Sequence, residues 1–342
     1  MSHFASQVQP AYLPGSISEQ RQKSPAAIGI DFGGTNTKAV LIDVEGRVLR
    51  EEAFPTPHES SAITDRILEA IISFDGSGLP IGIGLPVLLD EDGVVLGAPN
   101  LTEVIGHNVK SSIIDALGEL DKRPACITIE NDSTCATIAE FYLGCAIGSR
   151  YTCVVVLGTG IGGGFIIDGK LAVGANRMAG EIGHMIIEPN GRKCPCGREG
   201  CWEMYASGDS LARLANERAS LTSSGKLYEL YQLTNNSIKG EDVVNACQAQ
   251  DPQALAIMDE YAKWIALGIA NLTTALDLEL CVIAGGPASS GDVLLGPVRQ
   301  HFESFMQYYS TRPKVTIALS AFEQLSGAIG AAWLALDNAM QQ

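Results

Sequence analysis

The sequence has little positive charge and no long hydrophobic run. Only 23 of its 342 residues are Lys or Arg, against 39 Asp or Glu, so the formal net charge is −16. A surface this acidic argues against nucleic acid and anionic membranes as partners. No stretch reaches the ~20 consecutive apolar residues that a membrane-spanning helix needs. Residues 1–26 are polar and, unlike a secretory signal, contain no apolar segment. We therefore expect a cytoplasmic protein that binds neither nucleic acid nor a membrane.

The cysteines do not form a pattern typical of a disulfide framework. There are nine, an odd number, and six of them are scattered singly through apolar sequence, where core packing is the usual role. Such usage is typical of a reducing compartment. The other three lie close together and belong to a different pattern.

That pattern is H-x9-C-x-C-x4-C, formed by His184, Cys194, Cys196 and Cys201. Three thiolates and one imidazole complete a tetrahedral zinc shell with no open position, which is typical of a structural zinc site. We therefore predict that these four residues bind Zn²⁺. The alternative is three free thiols beside an unrelated histidine.

Two glutamates flank this segment. Glu181 lies three residues before His184, and Glu203 lies two residues after Cys201. A bound zinc would hold both carboxylates in place. Carboxylates fixed in this way suit hydrogen bonding to a polyol.

Glycine is abundant, with 37 residues, and its clusters follow strand-like runs. In the first cluster, a β-branched run ends at Asp31 and leads into Gly33-Gly34, Thr35 and Lys38. Two glycines permit a tight turn close to a ligand. A carboxylate beside a phosphate-binding turn is explained by a bridging Mg²⁺. An ordinary β-hairpin is the alternative.

The second cluster runs from Gly158 to Gly164 and matches G-x-G-x-x-G. That dinucleotide fingerprint requires a following helix, whereas the strand-like run from Phe165 to Ile167 follows here. The match therefore does not indicate a nicotinamide dehydrogenase. We interpret the segment as a flexible loop rich in N–H groups and suited to a polyphosphate.

Asn131 and Asp132 come after a strand-like run and directly before a helical one. Either residue could cap the helix. The functional alternative is a general base at the carboxyl edge of a sheet, where the clefts of α/β proteins open.

Two blocks of the chain begin in the same way, with a strand, a Gly-rich turn and a second strand, near Ala27 and near Thr152. The repeat predicts a duplicated α/β architecture with a cleft between two lobes. A length of 342 residues also fits two domains of ~150 residues each. One large α/β domain is the alternative.

Four segments between residues 28 and 336 together resemble the ROK family (repressors, open reading frames, kinases). They are DFGGTNTK, LGTGIGGG, GEIGH followed by CPCGREGCWE, and CVIAGGPASSGDVLLGPVR. The resemblance implies the two-lobed, actin-like or hexokinase-like ATPase fold. We expect a disordered tail over 1–26, a small α/β lobe over 27–131, and a large α/β lobe with the zinc site over 132–321. A C-terminal helix over 322–338 would return to the small lobe.

The resemblance also implies an ATP-dependent sugar kinase of the glucokinase type that forms a homodimer. Asp132 would be the catalytic base. The sugar-contacting positions would be Asn100, Asn131, Asp132, Glu181, His184 and Glu203. The positions that hold ATP and Mg²⁺ would be Asp31, Gly33, Gly34, Thr35, Lys38, Gly158, Thr159, Gly160, Gly285 and Gly286.

Several alternatives stay open. The sugar could instead be N-acetylglucosamine, N-acetylmannosamine, fructose or allose, and the phosphoryl donor could be polyphosphate. Arg177 stands where a glycine is common in the family, near the expected sugar pocket. An alternative of another class is a ROK-type transcriptional regulator. The negative charge disfavours it, as do the mere 27 residues before Ile28, which leave little room for a DNA-binding domain.

Overall fold

The computed structural model describes residues 24–57, 63–90, 92–98, 104–120 and 123–341, and two five-stranded sheets organise them. The first sheet has the order β3-β2-β1-β4-β7. Its β1 to β3 form an antiparallel meander, and β4 and β7 extend the sheet in parallel to β1. These strands are β1 (Ala27–Phe32), β2 (Asn36–Ile42), β3 (Val48–Pro55), β4 (Ile81–Leu85) and β7 (Ile127–Asn131).

The second sheet repeats this plan. Its β8 to β10 form an antiparallel meander, and β11 and β12 extend the sheet in parallel to β8. The strands are β8 (Tyr151–Leu157), β9 (Ile161–Ile167), β10 (Lys170–Leu171), β11 (Leu280–Gly285) and β12 (Thr316–Leu319). Two short strands, β5 (Leu88–Leu89) and β6 (Val95–Gly97), pair separately. The predicted repetition of strand, turn and strand is therefore present.

Ten α-helices connect and cover the sheets within the described residues. They are α1 (Ile63–Ser73), α2 (Val109–Glu119), α3 (Asp132–Leu143), α4 (Glu203–Ala206), α5 (Gly208–Ser220), α6 (Lys226–Leu233), α7 (Gly240–Gln248), α8 (Pro252–Leu276), α9 (Asp292–Phe305) and α10 (Ser326–Met340). The longest, α8, is amphipathic, and its buried face carries Tyr261, Ile265 and Ile269 into the larger core. No helix of these described ranges is long and apolar enough to cross a membrane.

The last helix, α10, lies against the first sheet. Small residues allow this approach: a Cβ atom on Gly29 of β1 would lie 1.9 Å from the Ala328 carbonyl oxygen, and one on Gly82 of β4 would lie 1.8 Å from that of Ala331. The chain thus returns to its first sheet after completing the second. The helix begins and ends slightly later than the predicted span of 322–338.

The interpretation of Gly158–Gly164 as a single flexible loop is wrong in its second half. Strand β9 begins at Ile161, so Gly162, Gly163 and Gly164 are strand residues paired with β8. Helix α3 crosses this strand closely, and a Cβ atom on Gly162 would lie 1.9 Å from Ser133 Oγ. Gly162 and Gly164 make room for α3, and Gly163 makes room for Ile182. The loop itself is limited to Gly158–Gly160.

Candidate active site

The first glycine turn lies at the end of β1, where Asp31 enters from the strand. Residues 33–35 are held by a residue outside the predicted set, Thr56. Its hydroxyl donates to the Gly33 carbonyl at 2.7 Å, and its N–H donates to the Thr35 carbonyl at 3.0 Å. The turn therefore has a fixed shape, with Gly34 and Thr35 exposed to an incoming ligand.

Asn131 ends β7, and Asp132 begins α3. The Asn131 side chain accepts hydrogen bonds from the N–H groups of Ser133 and Thr134, both at 3.0 Å, so Asn131 caps the helix. Its amide nitrogen also donates to the Val87 carbonyl at 3.3 Å. The capping interpretation is thus correct for Asn131. Asp132 is the first residue of the helix, and its Oδ1 atom accepts a hydrogen bond from the Ser133 backbone nitrogen at 2.7 Å.

Asp31 and Asp132 face each other across β4. The strand residue between them is Gly84, on which a Cβ atom would lie 3.4 Å from the Asp132 Cα. Burial, together with the charge of Asp132, raises the pKa of Asp31 from 3.8 to about 7. Burial also raises the pKa of Asp132, although the Ser133 N–H opposes this shift. Two carboxylates with raised pKa values on either side of one strand favour a bound cation between or beside them.

Lys38 is the cationic side chain close to Asp31. Burial lowers the pKa of its ammonium group, and the Asp31 charge acts in the opposite direction. The ammonium group donates to the Gln324 carbonyl at 3.1 Å, just before α10. Lys38 therefore connects the first sheet to the segment that leads into the last helix.

The second turn, Gly158–Gly160, joins β8 to β9 and lies opposite the first. A Cβ atom on Gly34 would lie 2.9 Å from Thr159 Oγ1, so the two turns meet. The Gly158 carbonyl accepts from the Gly208 N–H at the start of α5, at 2.8 Å. The absence of a helix after this turn agrees with the rejected dinucleotide fingerprint.

The predicted third turn begins at the end of β11, beside the second. Gly285 pairs in parallel with Leu157 of β8, so both strands end at the same edge. Gly285 has φ +95°, and a Cβ atom on it would lie 2.1 Å from the Leu157 carbonyl oxygen, which excludes any side chain. Gly286 follows and begins a short 3-10 helix, Gly286–Ser290.

The four predicted metal ligands come together. The side-chain ligand atoms of His184, Cys194, Cys196 and Cys201 all lie within 4.8 Å of one another. His184 Nδ1 is 3.8 Å from Cys194 Sγ, and the Sγ atoms of Cys196 and Cys201 are 3.6 Å apart. A zinc ion with Zn–S bonds of ~2.3 Å and tetrahedral angles requires S···S separations of about 3.8 Å.

Glu203, at the start of α4, contacts both this cluster and the second turn. Its Oε1 atom lies 2.9 Å from Cys194 Sγ and 3.4 Å from His184 Nδ1. A Cβ atom on Gly160 would lie 2.6 Å from its Oε2 atom. Glu181 lies on the other side of the imidazole, with its Oε2 atom 3.8 Å from His184 Nε2.

Two further residues that the sequence analysis named are Asn100 and Arg177. Asn100 lies outside the described residues. Arg177 forms an ion pair with Glu130, the residue before Asn131. Neither this ion pair nor the hydrogen bonds of Thr56 could be predicted from a sequence motif.

The family model that matches this chain is that of the ROK family, over residues 27–338. The chain belongs to the ROK family. It is 32% identical over 318 residues to the glucokinase of Streptomyces coelicolor, covering 91% of this chain and 97% of that protein. It is also 32% identical over 332 residues to the glucokinase of Halalkalibacterium halodurans, covering 92% and 97%.

Among solved structures, this ROK protein is similar to the ROK family glucokinase from Streptomyces griseus in complex with glucose and AMPPNP. The TM-score is 0.82 at 32% identity, covering 92% of this chain and 99% of that chain. The two-lobed, actin-like α/β fold expected from the resemblance is confirmed.

Proposed function

We propose that this ROK protein catalyses the ATP-dependent phosphorylation of a hexose hydroxyl, with glucose as the first candidate sugar. The observation that carries the proposal is the placement of Asp31 and Asp132 on either side of β4, next to two glycine turns that meet at Gly34 and Thr159. The similarity to glucokinases over almost the whole chain supports it. A second lobe facing the first offers a cleft that can exclude water during transfer.

Asp132 is the general base in this proposal. It would accept the proton of the sugar hydroxyl as the oxygen attacks the γ-phosphate. A base works best when its pKa approaches the working pH, and burial raises the pKa of Asp132 above its ordinary value. The bond from the Ser133 N–H holds one carboxylate oxygen and leaves the other for the substrate.

The sugar would lie between the start of α3 and the zinc segment. The amide of Asn131, the carboxylates of Glu181 and Glu203, and the imidazole of His184 offer the donors and acceptors that a polyol requires. Asn100, which lies outside the described residues, is carried by the resemblance alone.

The phosphates of ATP would be held mostly by backbone N–H groups. The proposed cradle consists of Gly33, Gly34, Thr35, Gly158, Thr159, Gly160, Gly285 and Gly286, with Lys38 beside Asp31. Backbone amides hold phosphate without Lys or Arg side chains, which suits a chain of net charge −16. Asp31 would hold Mg²⁺, because its raised pKa records a carboxylate without a full counter-charge. The ion supplies charge neutralisation on the transferring phosphoryl group.

Zn²⁺ is the proposed occupant of the Cys and His cluster. The fit rests on the donor set and on the separations of 3.6 and 3.8 Å between ligand atoms, which are those of a closed tetrahedral shell. Zinc of this kind is structural, and it would fix the segment from Glu181 to Glu203.

The cytoplasmic location, the homodimer and the division into lobes at residues 131 and 132 are further parts of the proposal. The scattered cysteines support the first, and the family resemblance supports the other two. Light scattering during size-exclusion chromatography tests the dimer: a mass near 36.1 kDa would contradict it.

The test is a coupled assay of the purified protein with about ten hexoses and two donors, ATP and polyphosphate. We expect turnover with glucose and ATP. Turnover with another hexose alone would change the sugar, and turnover with polyphosphate alone would change the donor. The absence of phosphorylation of every sugar, together with a salt-sensitive shift of DNA, would favour the regulator instead.

A further inference from the structure

An ion pair joins the loop after β10 to the end of β7, beside the candidate sugar site. Arg177 lies between β10 and the short 3-10 helix Ile182–His184, and its Nη2 atom contacts Oε2 of Glu130 at the end of β7. The side chains are 33% and 14% exposed, so this is not a solvated surface pair. Partly desolvated pairs with a direct contact couple more strongly than exposed ones.

The backbone presents Arg177 to this partner in an unusual conformation. Its φ is +55°. This left-handed conformation costs residues other than glycine about 1–2 kcal/mol. The loop closes on itself, because the Ala179 N–H donates to the Val173 carbonyl at 3.1 Å. A residue held at a disfavoured φ with a charged contact at its tip is typical of a functional constraint.

Glu130 connects Arg177 to the residues at the start of α3. Its other oxygen, Oε1, accepts the Asn131 N–H at 2.9 Å. The Asn131 side chain in turn accepts from Ser133 and Thr134, which fixes the first turn of the helix that Asp132 begins. On the opposite side, the Arg177 loop leads through Gly180 directly into Glu181.

We propose that Arg177 is a positioning residue for the sugar, acting through Glu130. Asn131 and Asp132 lie where β7 ends and α3 begins. The ion pair holds these two residues at a fixed distance from Glu181. This role rests on the proposed function, which assigns those three residues to the sugar. The pair touches neither glycine turn, so sugar binding depends on it and ATP binding does not.

The test compares Arg177→Met, Glu130→Gln, the double variant and Arg177→Lys by steady-state kinetics with the preferred sugar and ATP. Arg177→Met is expected to raise the KM for the sugar roughly tenfold, which corresponds to about 1.4 kcal/mol, with the KM for ATP changed less than twofold. Glu130→Gln should act similarly. The double variant should be no worse than either single one, because both remove the same interaction. Arg177→Lys should recover part of the loss.

The control is Arg150→Met. Arg150 pairs with Asp168 across the opposite end of the β8–β9 hairpin, and those side chains are 66% and 62% exposed. This variant should leave both KM values unchanged.

Three results would overturn the positioning role: an unchanged sugar KM in Arg177→Met, additive effects in the double variant, or equal increases of both KM values with a lowered melting temperature. If the wild-type protein phosphorylates a hexose and Arg177→Met leaves the sugar KM unchanged, the positioning role alone is refuted. A wild-type protein that phosphorylates no hexose refutes the proposed function, and the positioning role with it.

Discussion

The Sγ atom of Cys194 lies 2.9 Å from Oε1 of Glu203. This contact joins a proposed zinc ligand to a proposed sugar-binding carboxylate. Because the other oxygen of Glu203 faces Gly160, one side chain touches both the metal cluster and the second glycine turn. The Cys and His cluster and the second glycine turn are therefore joined through Glu203.

Loss of the metal should weaken sugar binding. Metal analysis of the purified protein should find about one zinc per chain, and Cys196→Ser should release it, because the shell then lacks one thiolate. We expect a lower melting temperature and a several-fold higher KM for the sugar. Cys145→Ser, which alters an exposed cysteine outside the cluster, is the matched control. Protein free of zinc with a normal sugar KM would show that the cluster has another role.

Replacing glycine by alanine should have opposite effects on stability at two helical sites, Gly330 of α10 and Gly118 of α2. A Cβ atom on Gly330 would lie 1.7 Å from the Cys135 carbonyl oxygen of α3. Gly330→Ala should therefore destabilise the protein by ~3 kcal/mol or more. Gly118 of α2 has no such neighbour within 4 Å, and Gly118→Ala should stabilise by about 0.5–1 kcal/mol. Urea unfolding measures both, and equal effects would contradict the close approach of α3 and α10.

The fully buried carboxylate of Glu140 joins the two segments by which the chain passes between the sheets. It accepts the Cys145 N–H at 2.9 Å after α3, and the Ala321 N–H at 3.2 Å after β12. Glu140→Ala would remove these hydrogen bonds to a buried charged acceptor, and we expect a loss of about 3 kcal/mol in the free energy of unfolding. Glu119→Ala, at an exposed site of α2, should change it by less than about 0.5 kcal/mol. Similar values for the two variants would refute this role.

The raised pKa of Asp31 predicts how stability depends on pH in the protein without Mg²⁺. The pKa of Asp31 rises from its ordinary value of 3.8 to about 7 in the fold, so between these values the folded state holds a proton that the unfolded state does not. The free energy of unfolding should therefore fall as the pH rises from 5 to 8, by about 3 kcal/mol from this group.

Asp31→Asn removes this contribution. Its stability relative to the wild type should improve by about 3 kcal/mol between pH 5 and pH 8. Asp115→Asn, at an exposed site of α2, should show no such trend. A difference between Asp31→Asn and wild type that stays constant with pH would mean that the Asp31 carboxylate is already compensated in the fold.

Local patterns predicted much of this molecule because they depend on neighbours in the sequence. His184 and the three cysteines lie within one short segment of the sequence, so their spacing could be read directly. The strand at Gly162–Gly164 could not be foreseen from the sequence, because α3 crowds Gly162 and Gly164, and Ile182 crowds Gly163, and these contacts come from distant parts of the chain. The ion pair of Arg177 and Glu130 joins residues 47 positions apart in the sequence, and no local pattern records such a contact.

The central claim is that Asp132 accepts the proton of a sugar hydroxyl during transfer from ATP. The most direct measurement is kcat for the preferred hexose in the wild type, in Asp132→Asn and in the exposed-site control Asp115→Asn. We predict that Asp132→Asn keeps the fold and the zinc content but loses ~10²–10⁴-fold in kcat, while Asp115→Asn is unchanged. Near-normal turnover in a folded Asp132→Asn protein would contradict the account.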